Sequence, residues 1–411
     1  MSALWLLPVW ADGGCVGEVS DRVCRRLAMR GFEHVVVGCS EERLRVEYEN
    51  RCFRSQPTGI GVVLALVTEE CPDVRFIVLI LKRRNIPLVR VACSREDYIK
   101  FLAGRVSPSE FAQRLEVSRI VGSRDGSRNS EENRSYFKVD VRVVPQVKAL
   151  FGRAGDWARL QINAIPEVSM PLAKGLMLTT QIIFPLDNEF GAFDQSGDYI
   201  RPGRTLVSKV LRFPSTFFLW GSVGYFDSER YGFSAESLWT TNNGRLSLEG
   251  RVGLTGFQAY QGVWKHSELS DWTYLLRCKY QWTSVDLSLT ATAGRFLYGD
   301  VGGRLDLVRT FGEVSLGFFG IRTTANRSGK LIGGFSIRIP IYPPRRRAPG
   351  RFRFGAPLSF PWAYRYRGES SGFILSDRYS LMGWLEDTAP SHIRNQVLDI
   401  KTAVRWIEYK Q

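Results

Sequence analysis

Residues 294–324 read GRFLYGDVGGRLDLVRTFGEVSLGFFGIRTT, and residues 330–341 read KLIGGFSIRIPI. Apolar and polar side chains alternate along these stretches, and tight glycine-containing pairs separate the runs. Successive side chains of a β-strand point to opposite faces, so each run predicts a strand with one apolar and one polar face. A soluble β-sandwich uses such strands, and so does a membrane β-barrel, which satisfies its whole backbone in lipid.

The same alternation extends over residues 134–342. In residues 274–282, the sequence YLLRCKYQW places arginine, lysine and glutamine on one face and mostly aromatic side chains on the other. Counting such runs predicts about twelve strands, within the range of membrane barrels. The runs exceed the roughly 5–6 residues usual for soluble strands. Many of them end in aromatic residues, as barrels do at both membrane interfaces. These features favour the barrel over the sandwich.

The lengths of the connections predict how the strands are oriented. Short connections at 214–215, 241–244, 283–284 and 312–313 alternate with connections at 187–204, 227–230, 256–270, 296–299 and 325–329. Outer-membrane barrels keep short turns in the periplasm and long loops outside. We therefore expect the first strand to run outward, which places the residues before it in the periplasm.

Residues 17–120 have a different texture and predict an α/β domain with the order α-β-β-α-β-β-α. Residues 121–133 are polar and rich in turn formers, which predicts a linker. Residues 343–411 begin with PPRRRAP, which is incompatible with a barrel strand, and are expected to form a periplasmic tail. The predicted fold is mainly β: a transmembrane antiparallel barrel preceded by a small periplasmic α/β domain.

The N-terminus resembles that of a secreted chain, and secretion bears on how the cysteines are interpreted. Residues 1–14 resemble a truncated signal segment that ends near Ala11, and Cys15 is a weak candidate for lipid modification. Six of the seven cysteines lie before residue 94. Disulfides are permitted in a secreted protein, but the spacing does not fix their pairing. No Cys/His spacing typical of zinc occurs, so we expect neither a metal nor a cofactor.

The formal net charge of +15 suggests an anionic partner. Acidic polymers and lipid head groups are such partners, and a generally basic proteome is the alternative explanation. No zinc-finger, RRM or helix-turn-helix pattern is present, so a nucleic-acid partner is not expected.

Support for enzymatic chemistry is weak. The three histidines, His34, His266 and His392, lie in three different segments without a local nucleophile pattern. Glu47 and Glu49 are two residues apart and therefore share one side of a strand. An acid–base pair and two solvated surface residues both fit that spacing, and the second interpretation is favoured. We expect a protein that is not an enzyme.

The predicted polar face of the barrel carries interleaved opposite charges. These residues are Glu236, Glu249, Arg251, Arg277, Lys279, Asp286, Arg304, Asp306 and Arg338. Such charges form cross-strand pairs that fill a narrow lumen, and contact with an anionic polymer is the alternative. Gly299 and Asp300 predict a hairpin turn between two runs, with sugar binding at that turn as the alternative.

Four segments of the chain resemble the YjbH/GfcD family of outer-membrane exopolysaccharide and capsule proteins. Residues 294–311 are similar to the family hairpin "GRYLAGD-G…EL-R-F", and residues 334–341 to its "KGI-IPL" strand. Residues 31–37 and 48–54 resemble "GFENV-V" and "YENR-YR". The resemblance implies an outer-membrane barrel that assists polysaccharide export or assembly with periplasmic partners, without a known catalytic residue. A general porin and a membrane-embedded hydrolase or lipid-modifying enzyme are the alternatives.

Overall fold

The computed structural model describes most of the chain between residues 16 and 405. The described ranges are 16–40, 42–121, 132–153, 156–190, 196–227, 229–325, 331–341, 350–357, 359–365, 372–375 and 380–405. The predicted signal segment 1–14, Cys15, most of the predicted linker and the prolines between 343 and 349 lie outside these ranges. The described residues form an α/β part, a large β-sheet and several short C-terminal helices.

The α/β part contains four helices and five strands. Its elements are α1 (Val16–Met29), β1 (Glu33–Cys39), β2 (Arg43–Glu49), α2 (Gln56–Glu70), β3 (Phe76–Arg83), β4 (Ile86–Ser94), α3 (Arg95–Leu102), α4 (Pro108–Arg114) and β5 (Glu116–Arg119). The strand order is β1-β2-β3-β4-β5, and only β2 and β3 run parallel. Helix α2 provides the crossover that a parallel pair requires. The predicted elements are present, and β5 is an addition.

The large sheet is built from long antiparallel strands. They are β6 (Val139–Arg153), β7 (Asp156–Ala173), β8 (Leu176–Asn188), β9 (Arg201–Arg212), β10 (Phe217–Phe226), β11 (Arg230–Thr240), β12 (Leu246–Tyr260), β13 (Trp264–His266), β14 (Asp271–Trp282), β15 (Leu287–Arg295), β16 (Val301–Phe311), β17 (Val314–Thr323) and β18 (Ile332–Pro340). Each long strand pairs with the next, and the short β13 pairs only with β12. Apart from β13, the strand count agrees with the prediction of about twelve.

The two faces of the large sheet are reversed relative to a soluble protein. On β14, Tyr274 and Leu276 are exposed, whereas the neighbouring Leu275 and Arg277 turn toward the covered face. On β12, Val252 is half exposed and Arg251 is almost fully buried. Soluble sheets bury their apolar face. This sheet instead exposes a broad apolar face and covers a face rich in charged and hydroxyl side chains.

The sheet continues beyond residue 342, where the sequence predicted only a tail. Strand β19 (Phe352–Gly355) pairs in parallel with β6, and β20 (Ser359–Arg365) pairs antiparallel with β18. The two terminal strands of the sheet are therefore neighbours along the chain. The strong alternation of β6–β18 is absent from these short, proline-flanked segments, so the pattern did not predict them.

The last described residues cover the charged face of the sheet. Residues 372–375 lie against β12 and the β15–β16 hairpin, and three helices follow: α5 (Leu381–Glu386), α6 (Pro390–Asn395) and α7 (Val397–Thr402). Leu381 and Trp384 share one apolar core with Trp220 of β10. Among the described residues, no helix is long and apolar enough to cross a membrane.

Helix α2 links this C-terminal unit to the α/β part. Ile60, Val63 and Leu64 are fully buried, because α2 is apolar around its whole circumference. A Cβ atom at Gly61 would lie 2.3 Å from the carbonyl oxygen of Ile400 in α7. The absence of a side chain at Gly61 therefore permits the close approach of the two helices.

The α/β part packs against one edge of the large sheet. This edge carries the connections 213–216, 241–245, 283–286 and 312–313, and we call it the short-turn edge. Gly175 in the β7–β8 turn donates its N–H to the carbonyl oxygen of Arg84 at 2.8 Å. The Arg119 N–H donates to the carbonyl oxygen of Asn242 at 3.0 Å. These backbone bonds and the turns beside them fix the α/β part in place.

Among the described cysteines, Cys24, Cys71, Cys93 and Cys278 are free thiols. Burial raises the pKa of Cys24 and of Cys71 to about 11. A buried thiol with a raised pKa stays protonated and unreactive at neutral pH. Cys24 and Cys71 therefore act as small apolar core residues.

Candidate functional site

The centre of the covered face holds a network of predicted charged residues. Strand pairing sets Glu236 opposite Arg251 and Glu249 opposite Arg277. Arg251 Nη2 lies 3.3 Å from Glu236 Oε1 and 3.4 Å from Glu249 Oε1, and Arg277 Nη1 lies 3.2 Å from Glu249 Oε1. Glu249 is fully buried. The four charges compensate one another across adjacent strands.

The same carboxylates bind the first turn of α5. The Leu381 N–H donates to Glu236 Oε2 at 2.6 Å, and the Met382 N–H donates to Glu249 Oε2 at 3.0 Å. The N-terminus of a helix carries free N–H groups and favours negative charge. The carboxylates therefore have a structural partner that sequence reasoning missed, because the tail was assigned to a separate periplasmic segment.

Two further predicted residues contact the other end of α5. Lys279 Nζ and Arg338 Nη1 each lie 3.0 Å from a carboxylate oxygen of Glu386. Burial raises the pKa of Glu386, but the two cations outweigh burial and hold its pKa below the usual range. Helix α5 is thus bound at both ends by charges of the sheet.

The remaining three predicted charges lie apart from α5. Arg304 pairs with Asp306 on the same strand at 2.6 Å, and its guanidinium carbon stands 4.7 Å from the ring centre of Phe319. Asp286 lies in a short turn with φ of 49° and accepts a long hydrogen bond from Gln281. The structure therefore joins six of the nine predicted charges into one site and leaves these three outside it.

The predicted hairpin at Gly299 and Asp300 anchors the chain that covers the sheet. Gly299 has φ of 81°, a value that favours glycine. Asp300 is buried, and its Oδ2 accepts the N–H of Gly372 at 2.8 Å. Arg251 Nη1 then donates to the carbonyl oxygen of Leu375 at 2.6 Å. Asp300 thus has a tertiary role beyond the turn.

A cavity of about 490 Å³ lies where the α/β part, the sheet and α5 meet. Its wall contains the arginines Arg51, Arg54, Arg83, Arg84, Arg142, Arg204, Arg338 and Arg353. Its acidic lining residues include Glu49, Asp140, Glu167, Glu236, Glu313, Glu386 and Asp387. The composition indicates a chamber for a polar or charged ligand.

Arg84 enters this cavity from the β3–β4 turn. Arg84 and Asn85 both have positive φ, 53° and 59°. Arg84 Nη1 donates to Ser208 Oγ at 3.1 Å, and its guanidinium carbon stands 4.6 Å from the ring centre of Trp220. Burial, followed by the positive charge of Arg83, lowers the pKa of Arg84. Sequence reasoning did not single out this segment, because no local signal distinguishes it.

His34, Glu47 and Glu49 have structural partners, whereas His392 lines the cavity and His266 is exposed on β13. The expectation that the paired glutamates are solvated was wrong for Glu49, which is 3% exposed. His34 Nε2 lies 2.6 Å from Ser135 Oγ, but both residues are fully buried, so a substrate has no access to them. His392 lies beside Gln396 at 3.3 Å. Glu47 pairs with Lys82 at 2.9 Å. Glu49 accepts the N–H of Asn85 at 2.9 Å, which supports the turn that carries Arg84.

Histidine, cysteine and carboxylate side chains are also the residues that could bind a metal ion, which the sequence did not lead us to expect. Within the ranges that the structure describes, no group of three or more His, Cys, Asp or Glu residues is arranged to hold a metal ion. The acidic side chains of the cavity instead lie beside arginines, which favours ion pairs over metal coordination.

Comparison with known proteins identifies the family. The model of the YjbH family, described as exopolysaccharide biosynthesis protein YbjH, matches residues 16–343. The match spans both the α/β part and strands β6–β18. No curated protein matches the chain. The chain therefore belongs to the YjbH family of exopolysaccharide biosynthesis proteins.

Proposed function

We propose that this chain is an outer-membrane β-barrel protein, not an enzyme, that assists exopolysaccharide export or surface assembly. The observation that carries the proposal is the reversed sheet, with apolar side chains such as Leu276 exposed and charges such as Glu249 buried. Lipid is the solvent that suits such an outer face. The family supplies the connection to exopolysaccharide.

The arrangement of the terminal strands supports closure of the sheet. Strands β19 and β20 form its two ends and are separated by only a few residues of chain. An open sheet edge in hydrocarbon leaves backbone groups unsatisfied at a cost of several kcal/mol each. The strands are also long enough: β10 has 10 residues, β14 has 12 and β7 has 18, and a membrane strand needs about 9–11.

The position of the α/β part supports a periplasmic location for it. Arg54 Nε donates to Glu313 at 2.8 Å, across the contact between the α/β part and the short-turn edge. In outer-membrane barrels the short turns face the periplasm. On this proposal the α/β part and α5–α7 meet periplasmic export proteins, and the opposite loops face outward. The lipid of the outer membrane and an anionic polysaccharide are the other expected partners.

The covered interior argues against the two alternative functions. A general porin needs an open lumen, whereas residues 372–375 and α5 occupy the charged face. A hydrolase needs an accessible nucleophile and base. The Ser135–His34 pair has the right chemistry but is fully buried. A gated or scaffolding role for the proposed barrel therefore fits the covered interior better than the role of a general porin or of a hydrolase.

Membrane fractionation of cells that express the full chain tests this proposal. We expect the protein in the outer-membrane fraction after carbonate washing, with a gel mobility that changes on heating. Deletion of its gene should reduce surface polysaccharide, and the full chain should restore it. Recovery of the protein in the soluble periplasmic fraction contradicts the proposal.

A conductance measurement separates the proposed function from a porin. In planar bilayers the full chain should conduct little, because its interior is covered. A chain that ends at residue 379 lacks α5–α7 and should conduct more. Large, steady conductance of the full chain favours the porin alternative.

A further inference from the structure

Seven of the eight arginines that line the cavity lie within 4.0 Å of a carboxylate, and Arg84 is the eighth. The pairs are Arg51–Asp140, Arg54–Glu313, Arg83–Asp387, Arg142–Glu167, Arg204–Glu167, Arg338–Glu386 and Arg353–Glu33. Among the described residues, no carboxylate oxygen lies within 4.0 Å of the Arg84 guanidinium. Arg84 is half-buried, so its guanidinium is reachable from the cavity. In the part of the chain that the structure describes, the cavity therefore presents one arginine that has no carboxylate partner within ion-pair distance.

The hairpin turn holds the backbone of Arg84 in place. Arg84 and Asn85 are the two central residues between β3 and β4, and positive φ at both positions is the usual geometry of such a two-residue turn. Here Glu49 accepts the N–H of Asn85 at 2.9 Å, and Gly175 donates to the carbonyl oxygen of Arg84 at 2.8 Å. The turn is thus fixed from both sides, and the guanidinium is positioned before any ligand arrives.

The wall beside Arg84 is rich in hydroxyl groups. The hydroxyl side chains that line the cavity include Ser208, Ser222 and Thr179. Trp220 donates its Nε1–H to Ser222 Oγ at 2.7 Å. The Trp220 ring itself is only 7% exposed, with the Arg84 guanidinium 4.6 Å from its centre and Trp384 edge to face at 6.1 Å, so it supports Arg84 from behind. A sugar presents hydroxyl groups that bond to such polar side chains, and ligand sites commonly place a few of them to fix orientation.

We propose that this cavity binds an acidic sugar unit, with its carboxylate on Arg84 and its hydroxyl groups on the polar side chains of the wall. The inference rests on the proposed function, which supplies a polysaccharide, and it specifies the chemical class of that polysaccharide. Guanidinium groups bind carboxylates through two parallel hydrogen bonds, and Nη1 alone is engaged by Ser208. The volume of about 490 Å³ has room for a short saccharide.

Calorimetric titration of the purified full chain in detergent micelles tests the inference. The probes are a short oligogalacturonate, a neutral maltooligosaccharide of the same length and inorganic phosphate. We expect oligogalacturonate to bind at least about tenfold more tightly than the neutral sugar, because only it carries carboxylates for Arg84.

Three variants locate the binding. Arg84→Gln should lower the affinity for oligogalacturonate at least about tenfold. Arg84→Lys keeps the charge but loses the two-pronged geometry, so its affinity should fall between those of Arg84→Gln and the unaltered chain. Arg90→Gln removes an exposed arginine of β4 outside the cavity and should leave affinity unchanged. Unaltered thermal unfolding of each variant establishes that it is folded. If Arg84→Gln does not fold, the comparison of Arg84→Lys with Arg90→Gln decides.

Equal affinity for acidic and neutral sugars overturns the inference. Binding of inorganic phosphate without binding of either sugar also overturns it. Unchanged affinity in folded Arg84→Gln also overturns it. These outcomes are distinct from failure of the proposed function, which fractionation and gene deletion test without reference to the cavity. A chain that resides in the outer membrane and supports polysaccharide display but binds no oligogalacturonate refutes the inference alone.

Discussion

The backbone N–H of Met382 donates a 3.0 Å hydrogen bond to the carboxylate of Glu249, a residue 133 positions earlier in the chain. Met382 lies in the first turn of α5, and Glu249 is fully buried on β12. This bond joins the C-terminal helices to the centre of the charged face. A segment that looks like an appendage in the sequence is therefore part of the interior.

Replacing Glu249 should destabilise the protein strongly. Glu249→Ala leaves Arg251 and Arg277 without their shared carboxylate and removes an acceptor from α5. Loss of one partner of a buried ion pair costs about 3–5 kcal/mol. Unfolding by urea in micelles measures the change. Asp286→Asn alters an acid in a surface turn and should change stability by less than about 0.5 kcal/mol; equal effects of the two variants contradict the assigned role.

Substitution of an exposed apolar residue of the sheet by arginine tests whether that face contacts lipid or water. Leu276 is 64% exposed in β14. In a bilayer, Leu276→Arg should cost about 2–4 kcal/mol and reduce the amount of heat-modifiable protein in the membrane. Ile99 is 39% exposed in α3 and serves as the control, because Ile99→Arg meets water there. If Leu276→Arg inserts as well as the control does, the lipid-facing assignment is wrong.

Gly61 should tolerate no side chain. A Cβ atom at this position meets the carbonyl oxygen of Ile400 at 2.3 Å and Cβ of Ala403 at 2.6 Å. Gly61→Ala should therefore separate α2 from α7 and destabilise the fold by about 1–3 kcal/mol. Gly17 in α1 has no atom within 4 Å of its Cβ position, so Gly17→Ala should be neutral or stabilising. Thermal unfolding compares them, and equal melting temperatures argue against close packing at Gly61.

The protein should lose stability in acid partly through Glu386. Its pKa in the folded state lies below the ordinary value of 4.5, since Lys279 and Arg338 outweigh the effect of burial. A depressed carboxyl pKa stabilises the fold above about pH 4.5, and this contribution disappears as the pH falls further. The free energy of unfolding should be measured as a function of pH. Compared with the unaltered chain, Glu386→Gln should be less stable at neutral pH and should lose less stability as the pH falls.

The control for this titration is an exposed glutamate. Glu96 pairs with Lys100 on the surface of α3, and exposed pairs contribute little to stability. Glu96→Gln should therefore follow the unaltered chain at every pH. Acid dependence of Glu386→Gln identical to that of the unaltered chain refutes the contribution of the Lys279–Glu386–Arg338 group.

The strands and their faces were predictable because their signal is local. A side-chain period of two residues shows in any short window, so residues 274–282 revealed which side chains share a face. The tight turn at Gly299 and Asp300 follows from the same kind of local preference. Helices α2 and α3 and their neighbouring strands were predicted on similar grounds. The resemblance to the family in the sequence also rests on short local motifs, and the match over residues 16–343 confirms it.

The contents of the interior were decided only by tertiary structure. The pairs Arg251–Leu375 and Glu249–Met382 join residues more than a hundred positions apart, and neither end carries a local pattern that announces the other. The surroundings of Arg84 likewise exist only because the β3–β4 turn meets Ser208 and Trp220 on other elements. Alternation determines the faces of a strand, but the partners of a buried charge depend on which distant segments the fold brings beside it.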